Sequence, residues 1–361
     1  VTNSNEDRPG VLTAEDLRTA IERNILRMPR EVGDRQIQPA SLDLTLGRRA
    51  WRVRAAFLPG QTRNVSDRLG ELALHELDLS QGAVLEKGCV YVVELRERLD
   101  LPVSLHATGN PKSSTGRIDV FVRLVTDRGT AYERVPAGYQ GPLYAEVSPR
   151  TFSVLVREGS SLNQLRLRRG NPALDDAELE RFHAQTPLSD GGEIGGGLRL
   201  SVDLSSQLGD VVGYRARRHS GLIDVDAVGA LDPSKYWEPI GAPEDGFIVL
   251  DPDEFYILAS REQLCVPTHL AAEMVAIDTE LGAFRAHYAG FFDPGFGVGQ
   301  GSRAVLEVRG FDAPFVLDHG QVAARLVYER LSSEPRQVYG SGLGSNYQGQ
   351  GLRLSKHFRR P

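Results

Sequence analysis

The second half of this chain repeats the plan of the first. Residues 82–117, GAVLEKGCVYVVELRERLDLPVSLHATGNPKSSTGR, are answered by residues 246–280, GFIVLDPDEFYILASREQLCVPTHLAAEMVAIDTE. Each stretch leads into a loop, then a short apolar run holding one glutamate (GPLYAEV and SRAVLEV), then a closing hairpin (FSVLVREGSSLNQLRL and PFVLDHGQVAARLVYERL). Such internal self-similarity sets the architecture before any single motif does. Within both halves the apolar residues alternate, in SLDLTL, CVYVVEL, RIDVFVRL, TFSVLV, FIVL, EFYILA, AVLEV and ARLVYERL, between Gly, Pro, Asp and Asn. That is the pattern of half-buried strands. The expected fold is therefore mainly β, built from two tandem domains.

With 361 residues, 40% of them hydrophobic, each half is long enough to bury a core. Two helices interrupt the strands. LTAEDLRTAIERN, with Thr13 as N-cap and acids in its first turn, reads as a short N-terminal appendage. DDAELERFHA is followed by the glycine-rich DGGEIGGG at 190–197, which suits a flexible connection. The boundary is placed there, giving domains 1–189 and 190–361.

Composition then removes several classes of function. No apolar run reaches the roughly eighteen residues of a membrane span, and VTNSNEDRPG lacks a secretory core, so the expected location is the cytoplasm, away from membranes. Cys89 and Cys265, each inside an apolar run, read as two buried thiols rather than a disulfide. A net charge of -6 leaves no basic footprint for duplex nucleic acid, so an anionic ligand has to be met by local donors.

One stretch has that character. Asn110-Pro111-Lys112-Ser113-Ser114-Thr115-Gly116-Arg117 combines cations, hydroxyls and a glycine, the make-up of an anion-binding loop, although an ordinary polar turn has the same composition. Its counterpart holds Asp278, Thr279 and Glu280, whose carboxylates would repel phosphate. In the second half, Ala289-Gly290-Phe291-Phe292-Asp293-Pro294-Gly295-Phe296 places an aromatic pair before an Asp-Pro-Gly turn, where Asp293 otherwise serves only as a turn cap. The first half has Val135-Pro136-Ala137-Gly138-Tyr139 there, without the acid. A zinc route to hydrolysis needs a clustered His/Cys set with a Pro-Cys-x-x-Cys pair, and neither two isolated cysteines nor the dispersed His269, His287 and His319 supply it.

These phrases, together with Ile37-Gln38-Pro39-Ala40-Ser41-Leu42-Asp43-Leu44-Thr45-Leu46-Gly47, resemble the dCTP deaminase and dUTPase superfamily in a duplicated form. The resemblance implies two dUTPase-like β-barrels of β-clip or jelly-roll kind. In the opening signature, Leu42, Leu44 and Leu46 are expected to face a core while Asp43 and Thr45 face out. It implies metal-independent deamination of dCTP to dUTP and ammonia, with Glu307 as the general base that activates water for attack on C4 of cytosine. Burial beside the aromatic loop would raise its pKa toward a useful value.

By the same likeness Ser113 and Ser114 position water and base, Arg117 and Lys112 take phosphates, and Ala289, Phe292 and Asp293 pack on the deoxyribose. Val305 and Leu306 lie beside substrate, Tyr339 contacts phosphate, and Gln350 helps read the base. Asn346 departs from the family, which has a lysine there. Glu146, the first-half counterpart of Glu307, is expected to be a relic or structural.

The family's sites lie between subunits, so a homo-oligomer is expected, with Mg²⁺ accompanying the triphosphate but no cofactor for the chemistry. Two other functions remain open at this point. One is a dUTP diphosphatase or bifunctional enzyme, and the other a non-catalytic nucleotide-binding regulatory protein.

Overall fold

A computed structural model describes residues 8–29, 36–276, 284–286, 290–310, 313–340 and 349–360, with only the backbone at 208 and 284–286. Two compact units account for the chain. The first holds Val1–Pro172 with Gly221–Ala230 and Leu331–Arg336, and the second holds Ala173–Ser220, Leu231–Arg330 and Gln337–Pro361. The passage between them falls at Pro172 and Ala173, and the glycine-rich stretch 190–197 lies inside the second unit. There Gly196 and Gly197 donate their backbone N–H groups to Asp176, at 2.8 and 3.0 Å.

Both units are mainly β, as the alternation requires, and the repeat is visible in the order of their strands. The largest sheet of the first unit runs Ala73–Asp78, Leu46–Val53, Val90–Asp100, Gln140–Pro149, Val120–Thr126, with Leu26–Arg27 added to Val90–Asp100. The second unit runs Trp237–Gly241, Val211–Ala216, Phe255–Leu264, Ser302–Gly310, Phe284–Ala286. All neighbours in both sheets are antiparallel. Each unit pairs a second sheet in the same way: Asn163–Arg169 with Leu105–Pro111 in one, Val322–Arg330 with Leu270–Ala276 in the other.

Individual hydrogen bonds repeat as well. The carboxylate of Glu97 accepts the backbone N–H and hydroxyl of Thr45 at 2.9 and 2.6 Å, and Glu262 accepts those of Ser201 at the same distances. The Tyr91 hydroxyl accepts from Glu86 N–H at 3.0 Å, as Tyr256 does from Asp251 at 2.9 Å.

In the second unit the core is one cluster in which Tyr256 and Leu258 meet Ala304, Leu306 and Val308 from the neighbouring strand, with Leu326 and Tyr328 opposite. Every second residue of Ser302–Gly310 points into it, which leaves Val305, Glu307 and Arg309 on the other face.

Three expectations need correction. Asp43 and Thr45 do not face water but are buried, because the alternate face of their segment meets a polar layer: Asp43 pairs with Lys112, and Thr45 with Glu97. Cys89 and Cys265 are free thiols but half-buried. The first helix, Ala14–Glu22, starts at Thr13 as expected, with Asp16 accepting the Thr13 N–H at 3.1 Å. It is no appendage, since Ala14, Leu17 and Ala20 are buried in the first unit. Asp176–Gln185 is helical with Asp175 as N-cap. A helix at Val65–Leu72, opened by Asn64, adds Val65 and Leu69 to a small apolar cluster around Tyr144. No helix among the described residues is long and apolar enough to cross a membrane.

Candidate active site

The anion-loop residues follow the strand Leu105–Pro111 and form a short helical turn, Ser113–Gly116. Proline ends the strand, and the Lys112 carbonyl then accepts from Thr115 and Gly116 N–H at 2.8 and 3.0 Å. Ser114 and Arg117 are buried. The Lys112 ammonium pairs with the Asp43 carboxylate and lies 3.3 Å from the Ser161 hydroxyl. Asp43 belongs to the opening signature, so that signature contributes a side chain to the loop as well as a strand.

The Asp-Pro-Gly loop lies in the second unit. Phe291–Phe292 pairs with Leu270–Ala276, and the chain turns with Phe296 N–H donating to Asp293 O at 3.1 Å. Gly295 has φ of +96°, and a Cβ there would sit 3.0 Å from Val338 Cβ and 3.1 Å from Tyr339 O. Only glycine allows so close an approach in that backbone region.

Tyr339 N–H donates to Pro294 O at 2.7 Å, and the rings of Phe292, Phe296 and Tyr339 form a run, with centroids 4.9 and 5.7 Å apart. Each such ring pair adds on the order of 0.5–1.5 kcal/mol beyond its burial. The fold thus brings Tyr339, far along the chain, onto the Asp293 loop. Asp293 itself is buried.

In the first unit the corresponding turn is identified by its bonding. Val266 N–H meets Phe296 O as Leu101 N–H meets Tyr139 O, both at 2.8 Å, and Tyr139 N–H donates to Pro136 O. Pro136 therefore occupies the place of Asp293, and the first repeat lacks the acid.

Glu307 lies opposite Ile257 on the central strand and is 3% exposed. Val305 shares its face, whereas Leu306 is packed into the core. Glu146 holds the equivalent position, opposite Val92, and is 2% exposed. One oxygen accepts two N–H groups of Arg123, with Nε at 3.0 Å, and the other accepts the Tyr132 hydroxyl at 3.0 Å. Arg123 also stacks 3.7 Å over the Tyr132 ring. Burial, with the Glu146 charge next in weight, raises the Tyr132 phenol to about 12, so at neutral pH it remains a donor. Arg123 and Tyr132 were not singled out in the sequence. Arg123 is the cross-strand neighbour of Glu146, so pairing the strand patterns was the available signal.

Gln350 is buried against the start of the Glu307 strand. Its Nε2 donates to Arg303 O at 3.1 Å, its carbonyl accepts Arg303 N–H at 3.0 Å, and Gly349 N–H donates to the Ser302 hydroxyl at 2.8 Å. Ala289, Asn346, His287 and the Asp278-Thr279-Glu280 loop lie outside the described residues. The structure groups Phe292, Asp293, Tyr339, Glu307, Val305 and Gln350 in the second unit, and Lys112, Ser113, Ser114 and Arg117 in the first. Among the described residues, no group of three or more His, Cys, Asp or Glu side chains is placed to hold a metal ion.

Comparison with known proteins gives the same division. The family model for the 2'-deoxycytidine 5'-triphosphate deaminase N-terminal domain matches residues 8–171, and that for the C-terminal domain matches 175–358. A dCTP deaminase, dUMP-forming, from Beutenbergia cavernae is 32% identical over 148 residues, 38% of this chain and 74% of that protein. A dCTP deaminase from Halorubrum lacusprofundi is 28% identical over 155 residues, 42% of this chain and 73% of that protein. The crystal structure of 2'-deoxycytidine 5'-triphosphate deaminase from Agrobacterium tumefaciens superposes with a TM-score of 0.86 at 49% identity, covering 90% of this chain and 99% of that one. With its two halves matched in tandem and its fold shared along nearly the whole length, the chain belongs to the 2'-deoxycytidine 5'-triphosphate deaminase family.

Proposed function

We propose that the chain deaminates dCTP hydrolytically, giving dUTP and ammonia, with Glu307 as general base. The observation that carries the assignment is the contrast between the two glutamates. Both are buried at equivalent positions, but it is Glu307 that lies in the unit holding the Asp293 loop, and the matching turn of the Glu146 unit has Pro136 in place of the acid.

In the proposed reaction a water loses a proton to Glu307 as its oxygen attacks C4 of cytosine and the C4–N3 double-bond pair moves onto N3; that proton passes to the amine as the C4–N4 bond breaks, and the proton left on the attacking oxygen ends on N3 as the carbonyl forms. The water supplies the new carbonyl oxygen, and nitrogen leaves as ammonia. Ser113 and Ser114 orient water and base, Arg117 and Lys112 receive phosphate oxygens, and Asp293 accepts the sugar hydroxyl beside Phe292 and Ala289. Tyr339 and Gln350 complete the nucleotide contacts, with Val305 and the Leu306 backbone beside them. The Asp43 pairing neutralises part of the Lys112 charge.

The chemistry assigned to these residues needs no metal, and Mg²⁺ would accompany the triphosphate through its own oxygens. Each repeat is read as a dUTPase-like barrel, the first carrying phosphate contacts and the second the sugar loop, base and C-terminal segment; the repeated strand order supports a common plan for the two. A homo-oligomer in the cytoplasm is part of the same reading. Incubation with dCTP and dUTP separately, following ammonia, uracil nucleotide and pyrophosphate, tests it. Ammonia from dCTP with no pyrophosphate from either nucleotide is expected, and absence of ammonia refutes the assignment.

A further inference from the structure

The two repeats can be matched residue by residue at the bulge before each glutamate. In the first unit Tyr144 stands opposite Glu94 and Pro142 opposite Arg98. In the second, Val305 stands opposite Ala259 and Arg303 opposite Gln263. Leu46 pairs with Leu95 in one and Val202 with Ser260 in the other. Pro142, Leu95 and Gly47 of the first repeat thus correspond to Arg303, Ser260 and Asp203 of the second. Small or apolar residues have been replaced by polar ones at three adjoining positions.

Those polar residues form one network. Arg303 Nη1 donates to the Asp203 carboxylate at 2.8 Å and to the carbonyls of Ser260 and Arg261 at 2.7 and 2.8 Å. The Ser260 hydroxyl accepts Ala304 N–H at 2.9 Å, and the other Asp203 oxygen accepts the N–H and hydroxyl of Ser205 at 2.9 and 2.6 Å. Asp203 is 1% exposed and the Arg303 side chain 13%.

Desolvating such a pair costs several kcal/mol, which its attraction only roughly offsets. The bulge itself does not require it, since the first unit makes the same bulge with Leu95 and Pro142. What differs is the load on the strand. Arg303 is held to the bulge by its side chain and to Gln350 by both backbone groups, on the face that carries Glu307 four residues later.

We propose that Arg303, fixed by Asp203 and Ser260, is a positioning residue for the deamination: it sets the placement of the Glu307 strand and docks the Gly349–Gln350 segment onto it. This rests on Glu307 as the base. A displacement of about 1 Å at a reacting group costs up to about 100-fold in rate, so a clamp four residues away has room to act.

The test uses the full chain with Arg303→Gln, Arg303→Lys and Asp203→Asn, measuring dCTP saturation kinetics and amide hydrogen exchange at residues 349–351. Arg303→Gln is expected to lower kcat about 10- to 100-fold with a smaller change in KM, and to speed exchange at 349–351. Arg303→Lys should recover part of both. Asp203→Asn should resemble Arg303→Gln, and the double variant should be no worse than the single ones. If Arg303→Gln does not fold, Asp203→Asn, which keeps shape and removes one charge, bears the same expectation. Turnover within twofold of the parent overturns the proposal, and so does unchanged exchange at 349–351. If the parent releases no ammonia from dCTP, the functional assignment fails, while the exchange measurement still judges the clamp.

Discussion

Replacing Glu146 by glutamine should damage stability and spare turnover, the reverse of the same change at Glu307. Glu146 is buried, and its carboxylate accepts two N–H groups of Arg123 and the Tyr132 hydroxyl. Removing one partner of a fully buried pair costs about 3–5 kcal/mol. Arg123 is 35% exposed and can recover water, so the loss should lie nearer that of a charged hydrogen bond, about 1.5–3 kcal/mol. The new amide would also set an N–H₂ against a donor on one side. For a unit of this size each kcal/mol moves Tm by about 2–4 °C, so a fall of roughly 3–12 °C is expected by calorimetry or circular dichroism. dCTP turnover at 25 °C should stay within a few-fold of the parent. Glu307→Gln should instead lower kcat by roughly two to four orders of magnitude, with binding retained. Loss of turnover in Glu146→Gln with Tm unchanged, while Glu307→Gln remains active, would refute the assignment of roles.

Burial pushes the Asp16 carboxyl up, but hydrogen bonds from Ser332, the Thr13 backbone, Ser333 and the Thr13 hydroxyl more than offset this and hold it below its ordinary value. A depressed carboxyl stabilises the fold above its unfolded value of about 3.9 and loses that contribution as pH falls through the folded value. The Tm gap between the parent and Asp16→Asn should therefore be full near pH 6 and shrink below about pH 4; a gap independent of pH counts against this. Gly295→Ala places a Cβ against Val338 and Tyr339 in a left-handed backbone, a strain of about 1–3 kcal/mol. It should raise KM for dCTP several-fold, and an unchanged KM would detach Tyr339 from nucleotide binding. CTP should be turned over at least tenfold less efficiently than dCTP in competition assays, because the Phe292–Asp293 loop is assigned to pack on a 2'-deoxy sugar; equal kcat/KM would be decisive against it.

The duplication, the β class and the helix that opens at Thr13 were legible from residue order, because strand alternation and capping are local chemistry that each segment carries with it. That the first repeat lacks the acid of the Asp293 turn was also legible, since aligned repeats expose it. Polar positions were read less well. Asp43 and Thr45 alternate like surface residues yet are buried, because alternation reports that a face is polar without saying whether water or Lys112 and Glu97 will meet it. Glu146 and Glu307 sit in nearly the same local sequence, LYAEV and AVLEV, and no property of those strands separates them. What the structure adds comes from elsewhere in the chain: Arg123 and Tyr132 hold the Glu146 carboxylate, and Gln350 docks on Arg303 at the start of the Glu307 strand. A carboxylate's role depends on which donors the fold places within about 3 Å of it, and hydrogen bonding at that range is decided by tertiary packing rather than by the order of residues along the chain.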